Sequence, residues 1–401
     1  MLHIKDSKIV DIKTNKEVKL RGVNLAGWLM MEGYILGGRN IPESEFKRRF
    51  KKVNGEVALK EFEYYFRKNF INQKDIEYIK KLGFNCVRVP FHWKIADEEI
   101  IWLDEVIKWC EQNKIYCILD MHSVPGSQNG DWHSDPVKIS KSLFWDKKNF
   151  HKKYYELWDL ISKRYKDKEI IAGYDIMNEP VIREKNWAKI LAGVYNNVIE
   201  IIRKNSDNHI IFVEGNLWAT QYDFLNYLDF KNHKNIAISI HFYYPVDFTF
   251  NLDHSLKYPS KILNKYKLRS ILKKYLEISK KFNMPIYVGE FGVNLRCYNS
   301  CYGEKQYLKD VISIFEEFGY HWTIWTYKTI YINVQPSGLL LYEKNPPFIS
   351  RQENEFGWER YILDWKKFSK QIKTSWLSKN FSFGLIKVLL EIFNKPLDKK
   401  I

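Results

Sequence analysis

The chain has 401 residues, of which 45% are hydrophobic and 28% charged, a composition typical of a folded globular protein and not of a disordered one. Its formal net charge is +16, but lysines and arginines are spread along the chain, so the clustered basic face of a nucleic-acid-binding protein is not expected. No run of 18 apolar residues predicts a transmembrane helix, and the polar first residues predict a cytoplasmic protein.

Short apolar segments alternate with helical patterns along the chain. The eight strand-like segments are residues 19–25, 84–90, 115–121, 171–177, 209–214, 236–242, 285–291 and 322–327. Helical patterns cover 73–82, 98–113, 149–165, 187–204, 268–282, 304–318 and 358–372, with a shorter one near 222–228. Such alternation implies parallel strands joined by right-handed crossovers, and eight units predict closure into a (β/α)8 TIM barrel. An open doubly wound sheet is the alternative, but no G-x-G-x-x-G motif follows the first strand.

Three long segments that follow predicted strands are interpreted as insertions, at residues 33–69, 122–150 and 329–358. They are expected at the carboxyl-terminal face of the barrel, where active sites form. We therefore predict one catalytic domain over residues 1–374 and an amphipathic extension over residues 375–401. The extension either packs on the barrel or contacts a membrane surface or a second subunit.

The cysteines favour free thiols. Their number is odd and small, which argues for a reducing compartment and against a disulfide framework; they are Cys86, Cys110, Cys117, Cys297 and Cys301. Cys297 and Cys301 are close enough in sequence to bridge or to ligate a metal, but no second Cys/His pair lies nearby at zinc spacing.

Polar residues recur at the predicted ends of six strands. In chain order these residues are Arg88, His122, Asn178 with Glu179, His241 with Tyr243, Glu290 and Trp325. Ionisable groups are costly in apolar strands unless they are paired or used. Such positions at the same end of successive strands favour an active site over a set of structural pairs.

Two of these residues are glutamates, and two carboxyl groups facing one cleft are the minimum apparatus for glycoside hydrolysis. One carboxyl must be protonated and the other ionised, so their surroundings must differ. Arg88 is a candidate to stabilise one carboxylate. The fourth and seventh strands lie on opposite sides of an eight-stranded ring, so Glu179 and Glu290 are predicted to flank a bond held over its centre.

The remaining polar residues suit the same chemistry. Asn178 can hydrogen-bond a sugar hydroxyl, Tyr243 can orient the nucleophile, and Trp325 offers a flat surface for a sugar ring. His122 and His241 are alternatively metal ligands, but no H-x-H motif of the kind expected in a metal-dependent barrel occurs. We therefore predict no metal and no organic cofactor.

With these motifs the chain resembles glycoside hydrolase family 5, the cellulase-like family of retaining (β/α)8 enzymes, from about residue 20 to residue 328. Asn178-Glu179-Pro180 resembles the family's acid/base motif, and Gly289-Glu290-Phe291-Gly292 resembles its nucleophile motif. The resemblance implies that Glu179 is the acid/base and Glu290 the nucleophile. It also implies that the other active-site residues are Arg88, His122, Asn178, His241, Tyr243 and Trp325.

Two further segments resemble exo-acting β-glucanases of this family, namely residues 21–28 followed by Glu32, and residues 126–130. This resemblance implies that Glu32 binds hydroxyls of the terminal sugar, although a helix cap or a surface ion pair is the alternative. Trp28 and Trp132 are further predicted substrate-binding residues. Residues 131–135 depart from the glucanases, so the identity of the sugar is not defined.

Together these features predict an exo-acting retaining β-glycosidase for β-glucosides or β-mannosides, with a carbohydrate as its ligand. The long loops favour a pocket over an open cleft, which favours removal of terminal sugars. The alternatives are an endo-acting β-1,4-glucanase or mannanase, a glycolipid β-glycosidase that docks on membranes through residues 375–401, and an inactive carbohydrate-binding barrel.

Overall fold

The chain folds around a closed barrel of eight parallel strands, and the computed structural model describes residues 1–296, 302–330, 335–342, 360–373 and 383–393. The barrel strands are β3 (Arg21–Asn24), β4 (Cys86–His92), β5 (Tyr116–Ser123), β6 (Ile171–Asp175), β7 (Ile210–Glu214), β8 (Ile236–Phe242), β9 (Ile286–Phe291) and β10 (His321–Ile324). Pairing of β10 with β3 closes the ring, with Trp322 opposite Arg21. The predicted (β/α)8 fold is therefore confirmed, and each strand overlaps its predicted segment.

Helices surround the barrel. The main ones are α1 (Glu43–Asn54), α2 (Glu56–Phe70), α3 (Gln73–Leu82), α4 (Trp93–Glu98), α5 (Ile101–Asn113), α6 (Lys148–Tyr165), α7 (Trp187–Lys204), α10 (Lys265–Phe282), α11 (Glu304–Phe318), α12 (Arg360–Phe368) and α13 (Phe383–Ile392). Two single turns, α8 (Asn216–Ala219) and α9 (Val246–Thr249), follow β7 and β8. The helix predicted near 222–228 is a 3-10 helix, Asp223–Tyr227, and the predicted segment 98–113 begins only at Ile101.

Helix α3 illustrates how local sequence sets these boundaries. Asn72 caps its amino end through a reciprocal capping box with Asp75, and Gly83 ends it in a left-handed conformation. Apolar residues three or six positions apart then face the barrel, namely Ile76, Ile79 and Leu82. The observed bounds of this helix equal the predicted ones, because the capping residues and the spacing of the apolar residues indicate the same two ends.

An amino-terminal hairpin closes the bottom of the barrel. Strands β1 (Leu2–Lys5) and β2 (Lys8–Asp11) pair antiparallel. Leu2 and Ile9 are buried in one apolar cluster with residues of the barrel interior, among them Leu20, Cys86, Ile118, Ala172, Ile210 and Tyr287. This hairpin, with two strands of four residues each, was not predicted from the sequence.

Part of the carboxyl-terminal extension lies in the described residues. Helix α13 contacts α11, and Phe393 stacks parallel to Trp322 at a centroid distance of 6.2 Å. The apolar side chains of α13 are buried in the main core: Leu385, Ile386, Val388, Leu389 and Leu390. No helix among the described residues combines the length and apolar character that a membrane span requires.

Three cysteines, Cys86, Cys110 and Cys117, are buried free thiols. The predicted alternatives for Cys297 and Cys301 lie outside the described residues. Two small strands beyond the barrel, β11 (Lys328–Ile330) and β12 (Leu340–Tyr342), pair in parallel beside its mouth.

Candidate active site

A cavity of about 590 Å³ opens at the carboxyl ends of the barrel strands. This volume is in the usual range for small-molecule sites. Most residues of the predicted site line it: Glu32, His122, Trp132, Glu179, His241, Tyr243, Glu290 and Trp325. Side chains from strands distant in sequence converge there because parallel strands all end at the same face.

Arg88 lies beneath the cavity as the centre of a buried network. Its Nη1 donates to Glu290 Oε1 at 2.8 Å, and its Nη2 donates to Asn178 Oδ1 at 2.9 Å. Carboxylate oxygens of three further residues lie 3.1–3.2 Å from the same guanidinium, those of Asp120, Asp175 and Glu214. Arg88, predicted to bind substrate and a candidate to stabilise one carboxylate, is fully buried and is not among the described residues that line the cavity. Its contact with the substrate side of the site is through Glu290.

The two candidate catalytic glutamates face each other across the cavity. One carboxylate oxygen of Glu179 and one of Glu290 lie within 4.8 Å of each other and of a nitrogen of His241. Glu290 Oε2 accepts a hydrogen bond from the Tyr243 hydroxyl at 3.0 Å. With Oε1 bound to Arg88, both oxygens of Glu290 are therefore held in fixed directions.

The backbone near both glutamates is constrained. Glu179 has φ of 46°, a left-handed conformation that costs energy for a residue with a Cβ. Its backbone N–H donates to Glu214 Oε2 at 2.7 Å, which stabilises this conformation. After Glu290, a Cβ at Gly292 would lie 2.4 Å from the carbonyl oxygen of Trp325, so this position of the Gly-Glu-Phe-Gly motif requires glycine.

Glu179 lies between two histidines. His241 Nδ1 is 2.7 Å from Glu179 Oε1, and His133 Nε2 is 3.1 Å from Glu179 Oε2. Burial opposes ionisation of Glu179, but its hydrogen bonds with His133 and His241 outweigh burial and hold its pKa well below the ordinary value. Burial would lower the pKa of His133, yet the contact with Glu179 raises it to about 9. The three groups therefore share protons in a single network.

One end of the cavity is closed by residues that follow β3 and β10. Glu32, Tyr34 and Trp325 are only 2%, 6% and 4% exposed. Trp325 donates its indole N–H to the Tyr34 hydroxyl and stacks parallel to His122 at a centroid distance of 5.4 Å. Glu32 Oε1 is buried and has no hydrogen-bond partner among the residues that the structure describes. Burial, followed by the nearby carboxylates, raises the pKa of Glu32 well above the ordinary value.

Two predicted substrate-binding residues lie away from the cavity surface. Trp28 is fully buried, stacks on Trp109 of α5 and donates its indole N–H to the backbone carbonyl of Arg67. Its ring therefore points outward from the barrel into the helical layer. Asn178 is also fully buried below the cavity, where its Oδ1 binds Arg88 and its Nδ2 has no hydrogen-bond partner.

Four residues of the site were not predicted: Tyr34, His133, Glu214 and Trp218. Glu214 ends the predicted fifth strand, so its position already indicated a polar strand end. His133 lies in a loop held by Asp135, whose carboxylate bonds His92 Nε2 at 2.9 Å and the Ser44 backbone N–H at 2.8 Å. Sequence gives no direct indication of the path of such a loop.

Glu179, His241 and Glu290 are spaced closely enough to be tested as a metal site. Burial lowers the pKa of His241, but the charges of Glu214 and Glu290 and its contact with Glu179 raise it well above the ordinary value. A protonated imidazole has no lone pair to offer a metal. The donor set therefore fits a hydrogen-bonded carboxylate pair better than a metal centre.

A closed (β/α)8 barrel that holds two glutamates this close together at the mouth has the architecture of a glycoside hydrolase. A family model described as cellulase (glycosyl hydrolase family 5) matches residues 48–329. The chain therefore belongs to glycoside hydrolase family 5 and is a glycosidase.

The chain is also similar to curated proteins that are named as glycosidases. A β-xylosidase of Phanerodontia chrysosporium is 33% identical over 351 residues, covering 82% of this chain and 71% of the relative. Endoglucanase C of Acetivibrio thermocellus is 25% identical over 303 residues, covering 65% and 84%. Among solved structures, endoglucanase Cel5A of Thermotoga maritima superposes with a TM-score of 0.58 at 21% identity, covering 80% of this chain and 92% of that one, which supports the fold.

Proposed function

We propose that the protein is a retaining β-glycosidase that removes single sugars from the ends of its substrates, with Glu290 as nucleophile and Glu179 as acid/base. The observation that carries this proposal is the approach of the two carboxylates to within 4.8 Å in one cavity. Retaining enzymes hold their carboxyl groups about 5–5.5 Å apart, whereas inverting enzymes need about 6.5–9.5 Å to admit a water molecule.

In the first step, Glu290 Oε2 attacks the anomeric carbon while the bond from that carbon to the leaving oxygen breaks. Glu179 delivers a proton to the leaving oxygen, so the aglycone departs as a neutral alcohol. This proton comes from the network of Glu179 with His133 and His241, which holds protons close to the reacting oxygen. Arg88 and Tyr243 keep Glu290 aimed at the anomeric carbon.

In the second step, Glu179 acts as a base and takes a proton from water. The water oxygen attacks the anomeric carbon from the side of Glu179, and the bond to Glu290 breaks. Two displacements give a product with the configuration of the substrate. Glu290 returns to a carboxylate and the proton taken from water returns to the network of Glu179, His133 and His241, so no external reactant besides water is consumed.

The closed end of the cavity favours action on terminal sugars. Glu32, Tyr34 and Trp325 form a buried wall beyond the two catalytic candidates, which limits how far a sugar chain can extend in that direction. The buried Glu32 Oε1 has no hydrogen-bond partner among the described residues and lies 4.0 Å from His122 Nε2, so it is available for a sugar hydroxyl. Its burial makes such a contact strong, because an unpaired buried acceptor is costly.

For the sugar, the similarity to a β-xylosidase adds xylosides to the glucosides and mannosides that the sequence predicts. A panel of 4-nitrophenyl glycosides tests the proposal: we expect hydrolysis of the β-glucoside, β-xyloside or β-mannoside, and none of α-glycosides. The release of 4-nitrophenol measures the rate of hydrolysis of each glycoside. Failure to hydrolyse any β-glycoside would reject the proposed function.

Oligosaccharide substrates distinguish exo from endo action. With an exo-acting enzyme, monosaccharide should appear from the first minute; mixed oligomers at that stage would reject exo action in favour of endo action.

Replacement of His133 by glutamine is expected to move the alkaline limb of kcat/KM to lower pH by at least about one unit. In the native protein the His133–Glu179 pair keeps its transferable proton until pH rises through the raised pKa of His133, about 9. Glutamine keeps a hydrogen bond to Glu179 but removes the titrating group. The measurement is kcat/KM from pH 5 to pH 10 on an alkyl glycoside, which needs a proton donor.

The exposed His254 offers a matched control, because it hydrogen-bonds Asn251 and lies outside the cavity lining. The variant His254→Gln should keep the native profile. An alkaline limb that stays in place in His133→Gln would show that His133 does not supply this proton.

A further inference from the structure

The cavity has a second end, opposite the closed one, that is open and apolar. In the ring of strands β7 lies across from β3, so the residues after β7 face Glu32 and Tyr34. Trp218, Tyr244 and Val246 at this end are 38%, 39% and 48% exposed. Helix α10 completes the surface with Ile271 and Tyr275.

The chemistry of this end differs from that of the catalytic centre. Most ionisable acids and histidines of the described lining lie around the catalytic glutamates: Glu32, His122, His133, Glu179, His241 and Glu290. Asp131 instead lies beside Trp218 at the open end. Apart from the Asp131 carboxylate and the hydroxyl groups of Thr220 and Tyr244, the open end carries mainly apolar side chains, which we call the apolar wall: Leu217, Trp218, Val246, Phe250, Ile271 and Tyr275. A sugar bound there would need hydrogen-bond partners for several hydroxyls, whereas this wall offers mainly apolar contact.

The backbone that presents this wall is strained. Leu217, Trp218 and Ala219 have φ of 49°, 56° and 57°, three successive left-handed residues with side chains. Such conformations persist where the surrounding structure imposes them, often at ligand sites. The indole N–H of Trp218 donates to Asp131 Oδ2 at 2.7 Å, so its one polar atom is satisfied by the protein. Its ring is left to contact a ligand.

From this arrangement we infer that the natural leaving group is an apolar aglycone, an alkyl or aryl alcohol, and that the apolar wall binds it. The inference rests on the proposed function, since it places the sugar between Glu32 and the catalytic pair and the aglycone beyond Glu179. Each methylene that leaves water for such a surface strengthens binding by a similar increment.

Methyl and octyl β-glycosides of one sugar test the inference, using the sugar that the panel above identifies and octyl glycoside below its micelle-forming concentration. Both leaving groups are simple alkyl alcohols and need the same protonation, so the ratio of their kcat/KM values reports contact with the chain. We expect the octyl glycoside to be preferred roughly 100-fold, as partial burial of its chain implies. The corresponding disaccharide should be a poorer substrate than the octyl glycoside.

Substitutions in the apolar wall test whether this surface causes the preference for the octyl glycoside. Ile271→Asn and Val246→Asn should each lower the octyl-to-methyl ratio at least about fivefold, as a polar group in the wall penalises the alkyl chain. Val57→Asn is the matched control, because Val57 is 83% exposed on α2 and outside the cavity lining, and it should keep the native ratio.

The outcomes separate the two proposals. Hydrolysis of both alkyl glycosides with no octyl preference, or a preference for the disaccharide, would overturn the apolar aglycone and leave the glycosidase mechanism standing. An octyl preference unchanged in both wall variants would overturn the assignment to this wall. Absence of hydrolysis on every β-glycoside would overturn the proposed function itself.

Discussion

Replacement of Glu290 by alanine is expected to lower kcat on β-glycosides by roughly 10⁵-fold, because the attacking oxygen is removed. The fold should survive, since Arg88 keeps carboxylate contacts at 3.1–3.2 Å with Asp120, Asp175 and Glu214. Added azide fits the space that the carboxylate leaves and should restore part of the rate. Attack from that side gives an α-glycosyl azide, with configuration opposite to that of the substrate.

Proton NMR of the azide product measures the configuration, and the anomeric coupling distinguishes the α from the β form. Glu184→Ala is the control, since Glu184 is exposed and lies outside the cavity lining, and it should keep native activity. Turnover near the native level in Glu290→Ala, or a β-glycosyl azide as its product, would show that another group is the nucleophile.

Replacement of Glu179 by alanine is expected to act through the leaving group. With an alkyl glycoside, kcat/KM should fall by roughly 10²–10⁴-fold, the usual contribution of a positioned proton donor. With a 2,4-dinitrophenyl glycoside the first step should be nearly native, because that leaving group departs without a proton. In the second step, azide should attack the glycosyl-enzyme from the side that Glu179 occupied in the native protein. This attack accelerates the step and gives a β-glycosyl azide.

Steady-state rates on the two substrates, with and without azide, measure this effect. The opposite configurations expected from the two variants assign each glutamate to its own face of the sugar. An equal loss on both leaving groups in Glu179→Ala would contradict the acid/base assignment and favour a structural role. Since His133 and His241 would lose their shared carboxylate, thermal unfolding of the variant should be compared with that of the native protein.

The strands were predictable from the sequence because each is a short apolar segment, and most are ended or closely followed by a polar residue. Glu179 and Glu290 were predictable for the same reason, as ionisable groups at the ends of apolar strands. Glu214 satisfies this rule too and was overlooked, although its carboxylate contacts Arg88 and the backbone of Glu179.

The direction of individual side chains and the path of the loops could not be predicted from the sequence. Trp28 follows its strand as closely as other site residues do, yet its ring packs against Trp109 in the helical layer. His133 reaches Glu179 only because Asp135 fixes the loop to His92 and Ser44. These contacts join residues far apart in the chain, so no local pattern predicts them.

The cavity has no opening through the barrel, because interior side chains fill the barrel and Leu2 and Ile9 of the β1–β2 hairpin pack against them at its amino end. Substrate and products therefore enter and leave the cavity at the carboxyl ends of the barrel strands. On the proposed mechanism the aglycone departs first, while the sugar stays bonded to Glu290 behind it. If the apolar wall binds the aglycone, it also binds an added alkyl alcohol once the aglycone has left, and that alcohol then competes with water for the bound sugar. On these two proposals we expect alkyl glycosides to form when the reaction contains an abundant alkyl alcohol.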